Sequence, residues 1–430
     1  MKSIKRLLIV GVMCVMSSGL VANGAAPEQV KLAIFAGAVG MESQLLAEAI
    51  QIYAKEHPGI EIVPKPAQES ATTRLTEYRK YLTDESDRKT VDIYQIDVIW
   101  PGEIGRHFAD LGQYGAAEAA KEHFPALIQN NTVDGKLIAM PWFTDAGLLF
   151  YRTDLLQKYG FAAPPQTWDE LETMAKKIQD GEVTAGKENF WGFVWQGGKY
   201  EGLTCDALEW IASSGGGTFI DPNKTVTLNN PNALKALERA AKWVGFISPP
   251  AVTGFMEEDA RRWWQSGNAA FMRNWPYVYS MANADDSPVK GKFAVAPLPG
   301  QEAGKGAATL GGWQLAVSKY SAHPQEAAAF VLFLTSKAEQ QRRAIKGAYS
   351  PTIGSLYQDP EVLKAAPFFG SLANVFVNAV ARPSGQTAPQ YSQASEAIFT
   401  AVHQVLTKQK SAQAALEAVE VDLKELLEKR

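Results

Sequence analysis

The ten residues VDIYQIDVIW, at positions 91–100, decide the fold class of this chain. They are almost continuously apolar, which predicts a strand with both faces buried, as in a parallel sheet covered by helices. One acid, Asp97, lies late in this strand. The carboxyl ends of strands in α/β sheets face the ligand crevice, so Asp97 is predicted to lie at a binding site.

Strands and helices alternate on both sides of this stretch. Residues 30–35 and 60–63 are predicted strands. Between them, apolar residues recur at helical spacing over 45–53, and His57-Pro58-Gly59 ends that helix. A polar helix follows at about 72–83. This alternation predicts a parallel sheet with helices on both faces.

The second half of the chain repeats the pattern with new material. A capping box at 167–170 opens a helix to about Gln179, and Pro324 suits the first turn of a helix through Leu334. The other predicted elements are strands at 190–195, 269–272 and 293–297, a helix at 203–213 and an amphipathic helix at 416–426. The sequence therefore predicts an α/β protein with two lobes.

The first 26 residues have the three-part layout of a secretory signal peptide. Three basic residues precede an apolar stretch at 7–15 and a small-residue end at 21–26, which predicts cleavage near Ala26. Cys14 lacks the small-residue run that precedes a lipid-modified cysteine, so cleavage is favoured over a lipid anchor. The remaining chain is predicted to be periplasmic.

Charge and cysteine content narrow the possible partners. Cleavage removes three positive charges and takes the net charge from −4 to −7, a poor match for nucleic acid or anionic lipid. One cysteine, Cys205, remains, so no internal disulfide is expected. The scattered histidines, none paired at metal-ligand spacing, are His57, His107, His123, His323 and His403. No metal or cofactor is predicted.

Two carboxylates attract attention, Asp97 and Asp145, the second directly after Pro141-Trp142-Phe143-Thr144. Such a pair can serve glycoside hydrolysis as acid and nucleophile. It can equally accept hydrogen bonds from sugar hydroxyls, and either residue can simply cap a turn.

Tryptophans add to this picture. The stretch NWPYVY, at 274–279, presents Trp275 either as part of the core or as a stacking platform. Five tryptophans fall at predicted strand ends: Trp100, Trp142, Trp195, Trp275 and Trp313. Flat rings and carboxylates without a nucleophile or a metal favour a sugar-binding protein.

Five stretches together resemble the solute-binding proteins of carbohydrate ABC importers, the trehalose/maltose-binding subgroup in particular. They are PWFTDAGLLFYRTDLLQKYG, PPQTWDEL, AAFMRNWPYVYS, TLGGWQLAVSK and ARPSGQTAPQYS. The resemblance implies two α/β lobes joined by hinge strands, with a sugar cleft between them. Crossings near Asp145, Gly312 and Pro351 would make the lobes discontinuous, residues 27–144 with 313–350 and residues 145–312 with 351–430.

The resemblance also implies which residues hold the sugar. These are Glu42 or Gln44, Thr73 or its neighbour Thr72, Asp97, Asp145, Trp275, Tyr277, Gly312, Trp313 and Arg382. Tyr200 and Glu201 are weaker expectations for the wall of the second lobe, and Tyr279 is expected to be structural.

The implied function is transport rather than catalysis. A monomeric protein would bind an α-linked glucose disaccharide, such as trehalose or maltose, and deliver it to membrane permease subunits. Two alternatives remain, an exported glycoside hydrolase that uses Asp97 and Asp145, and a peptide or metal binder on the same two-lobed plan. Against the hydrolase, nothing in the sequence singles out a carboxylic acid with a raised pKa.

Overall fold

The computed structural model describes residues 29–429 except residue 378, so the predicted signal peptide lies outside the described residues. Within this part of the chain the strands are Val30–Ala36 (β1), Ile60–Pro66 (β2), Ile93–Asp97 (β3), Thr132–Val133 (β4), Lys136–Leu137 (β5), Met140–Ala146 (β6), Leu148–Arg152 (β7), Trp191–Val194 (β8), Ala269–Asn274 (β9), Phe293–Ala296 (β10), Ala308–Val317 (β11) and Ala379–Val380 (β12).

The α-helices are Glu42–Glu56 (α1), Ala71–Thr83 (α2), Pro101–Ile104 (α3), Ala116–Ala120 (α4), Pro125–Asn130 (α5), Thr153–Lys158 (α6), Trp168–Thr184 (α7), Glu201–Ser213 (α8), Pro231–Trp243 (α9), Glu257–Trp263 (α10), Val278–Ala282 (α11), Pro324–Thr335 (α12), Lys337–Gly347 (α13), Pro360–Ala365 (α14), Phe369–Val377 (α15), Ser384–Thr387 (α16), Tyr391–Leu406 (α17) and Ala412–Glu428 (α18). Short 3-10 helices lie at Gly105–His107, Leu111–Tyr114, Pro250–Gly254 and Gly354–Gln358, and a π-turn at Trp264–Asn268.

The larger sheet is built around β3, the strand that the opening stretch predicts. β1 runs parallel to both β2 and β3, as expected. The prediction of a parallel sheet is wrong for the other side, because β11 runs antiparallel to β3 and to β6. A βαβ crossover forces parallel pairing. β11 instead returns from the second sheet, so no such crossover sets its direction.

The smaller sheet has the order β10–β7–β9–β8. β7 is antiparallel to both of its neighbours, whereas β8 and β9 are parallel. Helices α7 and α10 pack against this sheet, and α8, α9, α17 and α18 pack on one another. Each sheet thus has its own helical layer, and the chain has the two-lobed α/β fold that the sequence predicts.

Three chain segments meet between the two sheets. Asp145, in β6, pairs with β11. The backbone N–H of the preceding residue, Thr144, donates to the carbonyl oxygen of Ser350 at 3.0 Å. These contacts coincide with the crossings expected near Asp145, Gly312 and Pro351, while the exact lobe boundaries stay a prediction.

Gly312 is required where β6 and β11 approach. Its φ is 128°, a value that side chains disfavour. A Cβ there would lie 2.6 Å from the carbonyl oxygen of Phe143 and 2.7 Å from the Cα of Thr144. The glycine therefore lets the two hinge strands pack backbone against backbone.

The predicted third strand is shorter than expected and ends at Asp97. The carboxylate of Asp97 accepts a hydrogen bond from the N–H of Ile99 at 3.3 Å, and its carbonyl oxygen accepts one from the N–H of Trp100 at 2.9 Å. The chain therefore turns at this acid, which leaves Asp97 at the end of the strand. Elsewhere, the capping box of α7 and the first-turn proline of α12 are confirmed.

Candidate functional site

A cavity open to solvent lies between the two sheets. The end of β3, the middle of β11, the hinge strand β6 and the start of α8 all contribute to its wall. Its lining residues are Val39, Glu42, Glu69, Ala71, Arg74, Asp97, Phe143, Asp145, Tyr200, Glu201, Gly202, Cys205, Glu257, Trp275, Tyr277, Gly311, Gly312, Trp313, Tyr349 and Arg382.

The structure gathers most of the predicted contact residues around this one cavity. Those that line it are Glu42, Asp97, Asp145, Trp275, Tyr277, Gly312, Trp313 and Arg382, together with the weaker candidates Tyr200 and Glu201. Contact between these residues and a ligand stays a prediction.

Gln44 and Thr73 do not line the cavity. Gln44 is exposed, and its amide donates to Glu48 at 3.2 Å. Thr73 is exposed in the first turn of α2, where its backbone N–H donates to the hydroxyl of the N-cap residue Ser70. Of the two alternatives near the first strand, the cavity contains Glu42.

Trp275 is half-buried and directed at the cavity, with a buried arginine behind it. The guanidinium carbon of Arg273 lies 3.9 Å from the centre of the Trp275 rings. Arg273 is held in place by Glu209, at 2.5 and 2.8 Å, and by Asp206 at 3.0 Å. One face of the indole thus rests on a fixed cation and the ring borders the cavity, a position compatible with a platform; its role as a platform stays a prediction.

Trp313 repeats this construction from the other sheet. The guanidinium carbon of Arg74, in α2, lies 4.1 Å from the Trp313 ring centre. Arg74 is buried, its Nε donates to the carbonyl oxygen of Gln68 at 2.8 Å, and its Nη1 has no described partner. The other tryptophans predicted at strand ends do not reach the cavity but are core residues: Trp100, Trp142 and Trp195.

Asp145 is a buried carboxylate with no described partner. Its side chain is 7% exposed and makes no hydrogen bond to any residue that the structure describes. Burial raises the pKa of Asp145 well above its usual value, and the nearby carboxylates of Glu42 and Asp97 raise it further. A group in this state gains from a ligand that donates hydrogen bonds to it.

Arg382 connects the two halves of the cavity. Its guanidinium donates to Asp97 at 2.9 Å and to Glu201, in the first turn of α8, at 2.8 Å. The backbone N–H of Glu201 also donates to the hydroxyl of Thr72 at 3.1 Å. Burial raises the pKa of Glu201, and the charge of Arg382 opposes that shift. The carboxylate of Asp97 therefore both accepts a hydrogen bond in the turn after β3 and forms an ion pair with Arg382.

Several lining residues were not predicted from the sequence. Glu257, at the start of α10, accepts hydrogen bonds from the hydroxyl of Tyr200 at 2.7 Å and from the Nε1 of Trp275 at 3.4 Å. Burial raises the pKa of Glu257. Glu69 accepts from the backbone N–H of Glu258, in α10, at 3.2 Å. These contacts join segments far apart in sequence.

Two further observations concern residues 29–429 other than 378. None of their helices combines the length and the apolar content that crossing a bilayer requires. No three histidine, cysteine, aspartate or glutamate side chains among them are placed to hold a metal ion.

Residues 39–341, more than half of the chain, match the family described as bacterial extracellular solute-binding protein. The chain belongs to this family. A relative from Deinococcus radiodurans, a probable ABC transporter-binding protein, is 54% identical to this solute-binding protein over 364 residues, which cover 85% of this chain and 86% of the relative.

Solved structures agree with this assignment. The maltose-bound MalE3 of T. maritima is 41% identical to the present solute-binding protein, with a TM-score of 0.87 over 93% of this chain and 100% of that chain. A solute-binding protein of Thermotoga lettingae, bound with α-D-tagatose, is 24% identical with a TM-score of 0.79 and the same coverage, and supports the fold alone.

Family membership settles the class of activity. This solute-binding protein is an exported binding protein and not an enzyme, so the glycoside hydrolase alternative is wrong. The structure supplies the physical reason for the paired acids. Asp97 is engaged by Arg382, and Asp145 offers an acceptor at the hinge.

Proposed function

We propose that this solute-binding protein serves a carbohydrate ABC importer and binds an α-linked glucose disaccharide such as maltose or trehalose. The observation that carries the proposal is the position of Trp275 at the cavity, near the carboxylate of Asp145, for which the described residues supply no hydrogen-bond donor. An indole face suits the C–H face of a pyranose, and a carboxylate accepts hydrogen bonds from neighbouring hydroxyls.

Two ring platforms favour a ligand with two sugar rings. Trp275 and Trp313 reach the cavity from different sheets, and each has an arginine on one face. Glu42, Asp97 and Arg382 supply polar groups around them. The 41% identity to a maltose-bound relative supports the same class of ligand.

The remaining parts of the proposal follow from the resemblance and the family. The protein acts as a periplasmic monomer after cleavage near Ala26 and delivers its sugar to membrane permease subunits. Its lobes comprise residues 27–144 with 313–350 and residues 145–312 with 351–430, and they close on the ligand.

Calorimetric titration of the mature chain against neutral mono- and disaccharides at pH 7 tests the proposal. We expect maltose or trehalose to bind with roughly micromolar or tighter affinity, about −8 kcal/mol or better. Asp145→Asn should weaken that binding, whereas Glu302→Gln, at an exposed residue outside the cavity, should leave it unchanged. Absence of binding to every glucoside in the panel would refute the proposal.

A further inference from the structure

The cavity has a surplus of acids over bases. Among the described residues that line it, six carry a carboxylate and two a guanidinium. The acids are Glu42, Glu69, Asp97, Asp145, Glu201 and Glu257, and the bases are Arg74 and Arg382. A neutral sugar does not need such a surplus. The positions of the acids and bases within the cavity therefore indicate whether the ligand carries a charge.

The charges are arranged unevenly around the two ring platforms. At the Trp313 end, Arg74 stacks on the indole and keeps one nitrogen without a partner. At the Trp275 end, the nearest cation is Arg273, whose guanidinium is already held by Glu209 and Asp206 behind the ring. Among the described residues that line the Trp275 end, none is a cation free to pair with a ligand; the guanidinium of Arg343, which has no hydrogen-bond partner among the described residues, packs against Trp142 outside the cavity.

Carboxylates stand on two sides of Trp275. Glu257 accepts from the indole Nε1 at 3.4 Å. On the six-membered side of the ring, a Cβ built at Gly311 would lie 3.2 Å both from the Cβ of Asp145 and from the Cζ3 of Trp275. Gly311 thus lies between Asp145 and the Trp275 ring, and there is little room for a side chain between them. A sugar ring stacked on Trp275 would have an acid at two of its edges.

The groups around Asp145 act on its ionisation in opposite directions. Glu42 and Asp97 raise its pKa, and Arg273 and Arg343 lower it, yet burial dominates and the net shift is upward. Arg343 packs against Trp142, Phe143 and Tyr349 instead of lining the cavity. The raised pKa favours the protonated form of Asp145, and a cationic ligand group placed beside it would favour the ionised form by pairing with it.

We infer that the Trp275 end of the cavity takes a glucosyl ring bearing a primary amine in preference to the neutral ring, and rejects a ring bearing a carboxylate. The inference rests on the proposed function, because it assumes that a sugar ring stacks on Trp275. An ammonium beside Asp145 or Glu257 makes a charge-assisted hydrogen bond in place of a neutral one, and such bonds are roughly twice as strong. A carboxylate there would face two further acids, and the described residues that line this end of the cavity hold no free cation to pair with it.

The test compares derivatives of whichever neutral disaccharide, maltose or trehalose, binds more tightly. The amine series carries one amino group at C2 or at C6, and the acid derivative carries a carboxylate at both 6-positions, so that it cannot keep its charge away from Trp275. In the parent protein at pH 7, at least one amine should bind about fivefold more tightly than the neutral sugar, and the diacid at least tenfold more weakly.

In each variant, the affinity for the charged derivative is divided by the affinity for the neutral sugar. This ratio reports the effect of ligand charge, because a substitution that weakens all binding equally leaves it unchanged. In Asp145→Asn the amine should lose its advantage over the neutral sugar, and Glu257→Gln provides a second variant should Asp145→Asn fold poorly. Glu302→Gln should preserve the parent ratios.

The outcomes separate the inference from the function on which it rests. If the neutral sugar binds but every amine binds more weakly than it, or the amine advantage survives in both variants, the inference is overturned while the proposed function stands. If no neutral sugar binds, the proposed function fails and the inference fails with it.

Discussion

Replacing Trp275 with alanine or phenylalanine tests whether this ring is a ligand platform or part of the core. The indole is half-buried, with Arg273 stacked on one face at 3.9 Å and the Nε1 donating to Glu257. Arg273 keeps its ion pairs with Glu209 and Asp206 when the ring is removed. The substitution thus removes a binding surface without leaving a buried charge unpaired.

The structure sets different magnitudes for folding and for binding. Truncation of a fully buried tryptophan to alanine costs about 3–5 kcal/mol of stability. Because Trp275 borders a cavity, we expect about half of that, near 2 kcal/mol. Affinity should fall by about 2–4 kcal/mol, as for aromatic anchors in interfaces, which is a factor of roughly 30 to 1,000. Phe keeps a smaller face, so Trp275→Phe should lose only part of the affinity.

Urea unfolding and calorimetry on the same preparation decide between the two roles. Trp243→Ala serves as the matched control, because Trp243 is 1% exposed and lies outside the cavity. The control should lose more stability than Trp275→Ala and keep near-normal affinity in its folded fraction. Sugar titration should also change tryptophan emission in the parent more than in Trp275→Phe. A Trp275→Ala protein with normal affinity and a collapsed urea midpoint would refute the platform assignment.

Other properties of the molecule can be checked in the same way. Asp97→Asn should weaken sugar binding roughly ten- to a hundredfold, because an amide replaces a charged acceptor at the cavity. It should also lower the urea midpoint, because the buried guanidinium of Arg382 loses Asp97 and keeps Glu201 as its ionic partner; unchanged affinity in calorimetry would leave Asp97 with a structural role alone. Burial lowers the pKa of His123, whose Nδ1 lies 2.7 Å from the hydroxyl of Thr352, to about 4. The neutral imidazole therefore contributes stability that is present above the unfolded pKa near 6.5 and is lost as pH falls through 4, about 3 kcal/mol in all. His123→Asn should flatten that part of the pH profile of urea unfolding, and His57→Asn should not; identical profiles would contradict the assignment. Finally, small-angle scattering should show a smaller radius of gyration with bound sugar, since two-lobed proteins close around ligands; an equal radius at saturation would contradict closure.

Local patterns predicted the elements well because their causes are local. The capping box of α7, the first-turn proline of α12 and the apolar run of β3 each act within a few residues. The direction of β11 could not be predicted in this way. Its partners β3 and β6 lie more than 150 residues earlier in the chain, and no periodicity within β11 records which way it enters the sheet.

Residue spacing explains the choice between Glu42 and Gln44. Helix α1 begins at Glu42, whose carboxylate accepts from the backbone N–H of Ala38 and from the amide of Gln95, and so lies inside. Two residues further on, a helix has turned by about 200°, which places Gln44 on the outer face. The same reasoning applies to α2, where Thr73 is exposed and the next residue is buried.

The arginines behind the two tryptophans show where sequence information ends. Arg273 lies two residues before Trp275, at the end of β9. Because alternate residues of a strand share a face, the sequence spacing alone could have predicted that these two side chains contact each other. Arg74 lies in α2 and Trp313 in β11, and no local sequence pattern predicts the contact between them. Only the folded chain shows that both platforms are built alike.

This shared construction bears on how the cavity assembles. Arg273 and its acids belong with β9 and α8, beside the smaller sheet, whereas Arg74 lies in α2 beside the larger one. Each ring is therefore oriented by contacts within its own lobe and does not depend on closure for its position. Closure would then bring together two faces that are already rigid, so less side-chain entropy is lost when the sugar binds. By contrast, Arg382 contacts both β3 and α8, so we predict that its ion pairs with Asp97 and Glu201 change if the lobes move, together with the Thr72–Glu201 and Glu69–Glu258 hydrogen bonds.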